Sequence, residues 1–295
     1  MSDDDLDRDS VPDAAEPERK KKKKRKKKVE EAPVERPPVP SFADGVMASV
    51  RLSYLRVLRG RKLRVVAIAT LVVILFPAIV ALLDRDADRA VVVTQGFNWG
   101  FFRLLLFLAP ILMSSGAIAD EVEERTLSFL TMRPTSRWAL LLGRWLVSTG
   151  AAVAVIVLGV LLLHVIAYLT EPREMIDQLG STARIAGAST LLVITYSSIC
   201  LLWGVLVPEA ATLLSVLYLG VIELCFGVVP GVLRFFSMSH FARELAGLPR
   251  WGFMSETVPE VPLWGCALVI VVVTGLFTLG ALAIFRGTQT RFGNA

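Results

Sequence analysis

The 295-residue chain contains no G-x-x-x-x-G-K-[ST] phosphate loop, so it is not expected to bind ATP by that route. It has no H-E-x-x-H and no G-x-S-x-G, and its two histidines, His164 and His240, stand far apart. A catalytic or metal centre is therefore not expected, and no cofactor is assigned to the chain. Three cysteines, Cys200, Cys225 and Cys266, lie inside apolar runs without any C-x-x-C. They read as small buried hydrophobes rather than disulfides or metal ligands. No secretory signal is expected, because the first stretch of about sixty residues is polar. The alternating ten-residue strands that build membrane barrels are missing too.

Apolar sequence, by contrast, is abundant. Hydrophobic residues make up 54% of the chain and the mean hydropathy is +0.59, against about 45–50% apolar residues in soluble proteins. Six apolar runs approach or exceed the ~20 residues needed to cross a bilayer: 65–83, 97–119, 145–169, 185–207, 210–229 and 263–285. Pro77 is placed to kink the first, and Pro208 and Glu209 form a very short link between the fourth and fifth. Backbone groups in lipid must bond internally, so the runs read as helices. The expected fold is an all-α membrane protein with six transmembrane helices. Cations near the span ends number eleven on one side (Arg51 to Arg64, Arg125, Arg133, Arg137, Arg286 and Arg291). The other side has seven, namely Arg85, Arg89, Arg173, Arg184, Arg234, Arg243 and Arg250. The first side is therefore expected to be cytoplasmic, together with both termini. The expected location is a cell membrane of the bacterial inner-membrane type.

Two charged segments precede the spans. Residues 1–40 are expected to form a disordered cytosolic tail, with residues 41–295 as the six-span domain. Asp3 to Asp9 is acid-rich, Arg19 to Lys28 is an unbroken basic run, and four prolines follow. The basic run is either plainly solvated or attracted to anionic lipid, at about 1 kcal/mol per basic residue near the surface. No nucleic-acid role is expected, since no aromatic residues are interleaved for stacking. From Phe42 to Arg64 a helical pattern (Val46, Val50, Tyr54, Val57, Leu58) is crowded by six cations. That is the composition of an amphipathic helix lying in the headgroup layer.

Beyond the fifth run, the segment from Pro230 to Pro262 mixes Val232, Leu233, Phe235, Phe236 and Phe241 with Arg234, His240, Arg243 and Glu244. One or two short outer helices are expected there, or an interfacial loop with aromatic anchors. Two ionisable residues sit at membrane depth. Glu223, in the fifth run, is a candidate for the pathway, for a structural partnership, or for inter-helix hydrogen bonding as the protonated acid. His164 falls near the outer end of the third run and is expected at the interface. Gly204, Gly220 and Gly227 are expected to permit close helix packing.

The densest charge in the middle of the chain is the stretch GAIADEVEERTLSFLTMRPTSRWALLLGR, from Gly116 to Arg144. A helix from about Asp120 puts Val122, Thr126, Phe129 and Leu130 on one side and Glu121, Glu124 and Ser128 on another. Glu121 and Arg125 can pair at i, i+4. Pro134 should end that helix at Arg133, and a second helix should begin near Trp138.

These residues resemble the loop between the second and third spans of ABC transporter permeases of the type-2 exporter class, with the pattern E-x-E-x-G-T-L-x-x-L-L-x-x-P-x-S-R-x-x-x-L-x-G-K. Glu121, Glu123 or Glu124, Thr126, Leu127, Leu130, Pro134, Ser136, Arg137, Leu141 and Gly143 match it. Arg144 replaces its Lys, and Arg125 stands where many members have Gly. The resemblance covers residues 41–295 and implies a permease subunit of an ATP-driven exporter. It implies a cytoplasmic coupling helix between spans two and three that docks into a separate ATP-binding subunit, where ATP and Mg would be held. Glu121, Glu124, Arg125, Thr126, Leu127, Leu130, Arg133, Pro134 and Arg137 are the residues it assigns to that contact. It also implies a second permease copy and outer helices that close the pathway above the fifth and sixth spans. Two other classes remain: a membrane assembly or anchoring protein without transport, and an intramembrane enzyme, for which only Glu223 lies deep enough.

Overall fold

The structure, a computed structural model, describes residues 41–83, 88–117, 136–228, 232–248 and 261–287. Contacts separate residues 1–38 from a unit comprising Val39–Ala295, and the description concerns the second. The expected tail, with Arg19 to Lys28, lies outside the described residues, as does 118–135. Among the described residues about 92% are helical and no strand occurs. Five helical stretches among the described residues are long and apolar enough to cross a membrane: Arg61–Val80, Arg89–Ser114, Trp138–Ala167, Leu179–Leu206 and Leu263–Arg286, of 20 to 30 residues.

The chain opens with α1 (Phe42–Arg59), whose start is fixed by a capping box. The Ser41 hydroxyl accepts from the Asp44 N–H and the Asp44 carboxylate accepts from the Ser41 N–H. The expected continuous pattern to Arg64 is broken at Gly60, where the backbone is extended, and α2 (Arg61–Leu83) starts immediately after it. α1 packs on the third span. The Ser49 hydroxyl donates to the Leu140 carbonyl at 2.9 Å. A Cβ on Gly143 would stand 2.5 Å from the Ser49 Cβ, so glycine is what lets the two helices touch.

The second span begins earlier than its apolar run. Asp88 caps α3 (Arg89–Gln95) by accepting from the Ala90 and Val91 N–H groups. Polar residues here therefore belong to the helix end rather than to a loop. The span continues as a π-helical segment, Gly96–Leu105, and then α4 (Leu106–Ser114). The third span, α5 (Arg137–Ala167), starts from a Ser136 cap, and a short α6 (Pro172–Asp177) leads into the fourth, α7 (Leu179–Leu206). α7 packs against the second, third and last spans. It is rich in buried Ser and Thr, which α-helices tolerate by bonding the carbonyl four residues back, as Thr195 does to Leu191. Thr195 and Ser198 also bond Thr274 (2.8 Å) and Thr278 (3.0 Å) of α11 (Leu263–Gly287).

After a 3₁₀ turn at Pro208–Ala210, the fifth apolar run is helical in pieces: α8 (Ala211–Tyr218), a second π segment (Leu219–Cys225) and α9 (Phe226–Val228). Then come a 3₁₀ turn, Val232–Phe236, and α10 (Met238–Ala246). Alternation of direction puts Gly60, Ser114, Arg137, Leu206 and Gly287 at one end, the loop end. Leu83, Arg89, Ala167, Leu179, α10 and Leu263 lie at the other.

Two expectations are corrected. Cys225 is exposed, although Cys200 and Cys266 are buried. Gly220 meets nothing within 4 Å, whereas a Cβ on Gly204 would press the Ser115 carbonyl at 3.0 Å and one on Gly227 the Ser237 and Ser239 hydroxyls at 3.1 and 3.3 Å. Packing at Gly220 has no neighbour to accommodate.

Candidate functional site

α10 is the shortest route into the site. Its sequence, MSHFARELA, carries two charges, yet Met238 to Arg243 and Ala246 are all buried. It does not lie on the surface as an interfacial loop would. It is enclosed in the end of the bundle, against α7 and α11. A buried helix N-terminus leaves N–H groups that need acceptors. Ser237, the residue before the helix, makes no side-chain cap of its own. Glu223 supplies the acceptors instead. Its Oε1 accepts from the Met238 N–H at 3.0 Å, and its Oε2 accepts from the Ser239 N–H at 3.0 Å and from the Ser237 hydroxyl at 2.7 Å. In each of these bonds the carboxyl group accepts, in two of them from backbone N–H groups. It also faces the positive end of the α10 peptide dipoles. The Tyr196 phenol of α7 faces the same cluster, with Glu223 and Ser239 as neighbours.

The far end of α10 is closed by Gly247 in the left-handed conformation (φ 69). The Leu248 N–H reaches the Arg243 carbonyl (3.1 Å) and the Gly247 N–H the Glu244 carbonyl (3.2 Å), which is a Schellman ending. Between the two ends, the Arg243 guanidinium donates to the Asn98 side-chain oxygen of the second span at 3.2 Å and lies 5.6 Å from the Phe102 ring centroid. Asn98 is 2% exposed, Glu223 2% and Arg243 8%. Asn98 sits in the first π segment and Glu223 in the second. α10 is thus tied to the second span and to the fifth apolar run at π-helical segments, where the helices widen, and such widenings recur at functional positions.

The same end holds a second buried link. His164, expected near the outer end of the third run, stands in the last turn of α5 and is 3% exposed. Its Nδ1 pairs with the Thr182 hydroxyl at 2.8 Å and its Nε2 with the Met175 carbonyl at 3.1 Å, joining α5, α6 and α7. Arg89 reaches Glu171 at 3.6 Å. Burial pushes the Tyr168 phenol, just past the third span, above its ordinary value, with Glu174, Asp88 and Glu171 adding to the rise.

At the loop end, Glu121, Glu124, Arg125, Thr126, Leu127, Leu130, Arg133 and Pro134 lie outside the described residues. Arg137 is the first residue of α5, and its side chain is not described. What is described is the frame on either side. Arg144 donates to the Ala117 carbonyl at 3.2 Å, Ser115 pairs with Thr212 at 3.2 Å, and the Ser136 hydroxyl accepts from the Ala139 N–H. The second and third spans are joined across the mouth of the intervening segment. The residues missed by sequence reasoning are Asn98, Arg243, Ser237 and Ser239. Asn98 was visible as an uncommon amide within an apolar run, but nothing local pairs it with a residue 145 positions away.

Apolar helices of membrane length, joined through buried polar links, define a multi-pass all-α membrane protein. The sequence matches the profile of the ABC-2 family transporter protein over residues 58–245, and the chain belongs to that family. No curated protein matches it. It is a membrane permease of an ABC transporter, a transport subunit.

Proposed function

We propose that this permease belongs to an exporter driven by ATP hydrolysis on a separate ATP-binding chain, which holds the ATP and Mg. Two permease copies and two ATP-binding chains assemble in a cell membrane. Pro208–Val228 counts as a sixth span, α1 lies in the headgroup layer, and the loop end and both termini face the cytoplasm. Energy enters where the ATP-binding chain meets a coupling helix at Glu121 to Arg133.

The observation that carries this reading is α10, a helix buried in the opposite end and held by Glu223 and Asn98. The second span runs from Arg89 to Ser114 and ends a few residues ahead of the coupling segment in the sequence. Moving that end shifts Asn98, and Asn98 holds Arg243. α10 is then the outer gate, and Glu223 serves the pathway as the gate's anchor rather than as a group that binds cargo. The gate opens when the second span draws α10 off its Glu223 anchor on the π segment of the fifth run.

A disulfide tests this. A Cβ on Gly227 would lie 3.7 Å from the Ser237 Cβ, within the ~3.5–4.5 Å of natural disulfides. Gly227→Cys with Ser237→Cys, in a background where Cys225 is Ser, should lock α10 to the fifth run when oxidised. ATP turnover of the reconstituted transporter should fall at least tenfold on oxidation and return with a thiol reductant. Full turnover in completely cross-linked protein would exclude α10 as the gate.

A further inference from the structure

α2 and the second span enclose an apolar groove between them, in the half of the bundle away from the loop end. Its volume is about 560 Å³, inside the ~300–1,000 Å³ range of ligand sites. Its α2 side runs from Val73 to Val80 and its second-span side from Val91 to Gly100. Both stretches lie within spans, Arg61–Val80 and Arg89–Ser114, so the groove stands within the thickness of the bilayer.

The sequence gives it a low floor and high walls. Glycines at 96 and 100 present no side chain to α2. A Cβ on Gly100 would collide with the Val73 side chain, and one on Gly96 would stand 3.1 Å from the Pro77 ring. Phe76 of α2 and Trp99 of the second span rise beside this floor, 75% and 57% exposed. Trp99 is held in place. Its indole N–H donates to the Gln95 side-chain oxygen at 3.0 Å, and the Arg103 guanidinium lies 4.1 Å from its ring centroid. A wall pinned in this way does not fold over the floor.

Water does not suit the groove. A buried water needs about 2–4 polar partners. Apart from Gln95 and Trp99, which bond each other, the described lining residues are Val, Phe, Pro and Gly. The rim, by contrast, is continuous with the membrane face. On α2 the exposed Phe76 stands one helical turn from exposed Val72 and Ile79, on the side that α2 turns to the bilayer.

We infer that the groove holds one acyl chain of a membrane phospholipid. The chain lies on Gly96 and Gly100 between Phe76 and Trp99, with its headgroup toward the bundle end where α2 finishes and α3 begins. An acyl chain is narrow and unbranched, which fits a glycine floor between two aromatic walls. Asn98 stands on the same π segment, so the chain packs against the element that ties α10. The groove belongs to the membrane-spanning fold and does not depend on what drives the transporter.

The test places the full chain in phosphatidylcholine vesicles containing a small share of phosphatidylcholine with a diazirine on one acyl chain. After illumination, labelled residues are located by peptide mass spectrometry. Labelling over 73–80 and 91–100 should exceed that of the exposed α11 residues Leu268, Val271, Leu276 and Leu279 about fivefold per residue, because a chain in the groove meets protein on its floor and both sides rather than along one. Val91→Trp, which fills the groove, and Trp99→Ala, which removes a wall, should each bring groove labelling down to the α11 level. Trp99→Phe should keep it. Val91 and Trp99 are both exposed, so these variants should fold, with unchanged α11 labelling as the check. Equal labelling of the groove and of α11 in the wild type would overturn the lipid site, as would groove labelling unchanged in both variants. Disulfide-linked pairs of Val91→Cys chains, in a background where Cys225 is Ser, would put a second copy in the groove and overturn the lipid as occupant.

Discussion

Replacing Glu223 by Gln changes one atom type in the buried polar cluster at the start of α10. The carboxylate meets three donors on two oxygens, at 3.0, 3.0 and 2.7 Å. An amide has one accepting oxygen, and its –NH₂ group would face whichever donors that oxygen does not take. If the oxygen keeps Ser237 and Ser239, the Met238 N–H loses its acceptor. A buried N–H left without a partner costs about 1–3 kcal/mol. Glu223→Ala removes both backbone acceptors and should cost about 2–6 kcal/mol by the same reasoning, since the Ser237 hydroxyl can still pair with Ser239 at 2.7 Å. The cost should fall on α10 and not on the bundle, whose spans bury their own faces. Hydrogen exchange of peptides covering 232–248 reads it directly. Exchange there should rise about 5- to 150-fold in Glu223→Gln and more in Glu223→Ala, with the α7 and α11 peptides unchanged. Unchanged exchange in both variants, or a rise spread evenly over all spans, would refute the capping role.

Two glycines predict opposite signs for one substitution. Gly143→Ala should destabilise the protein by about 1–3 kcal/mol, because the new Cβ meets Ser49 at 2.5 Å. Gly220→Ala should stabilise it by about 0.5–1 kcal/mol, because the site is open and the helix gains propensity. Thermal unfolding in detergent distinguishes the two. In a double-mutant cycle, Asn98→Ala and Arg243→Ala should couple by about 0.6–1.7 kcal/mol, the range of buried polar pairs in membrane proteins. Additive effects would show that the 3.2 Å bond carries no net energy.

The spans were legible because membrane helices announce themselves by uninterrupted hydrophobicity over about 20 residues. The matched family agrees with the motif read from Glu121 to Arg144. The start of the second span was not legible, because Asp88 and Arg89 look like loop charges until the carboxylate is seen capping α3. The burial of α10 was hidden for the converse reason. Arg243 and Glu244 suggest a surface, and the distant Asn98 and Glu223 are among the partners that accommodate an enclosed position. Glu223 was conspicuous as an acid at depth, but its partners are the N–H groups of a helix start, which no side-chain pattern marks. His164 is similar, since one of its two partners is a backbone carbonyl.

The central claim is that ATP hydrolysed on another chain drives this permease through the segment from Glu121 to Arg133. It is tested by co-expressing the chain with its ATP-binding partner, measuring association by pull-down and measuring ATP turnover in reconstituted membranes. Glu124→Lys and Leu130→Asp should insert and fold like the wild type, but each should lower association or turnover at least tenfold. Wild-type association together with wild-type turnover in both variants would contradict the claim and favour a membrane assembly or anchoring role.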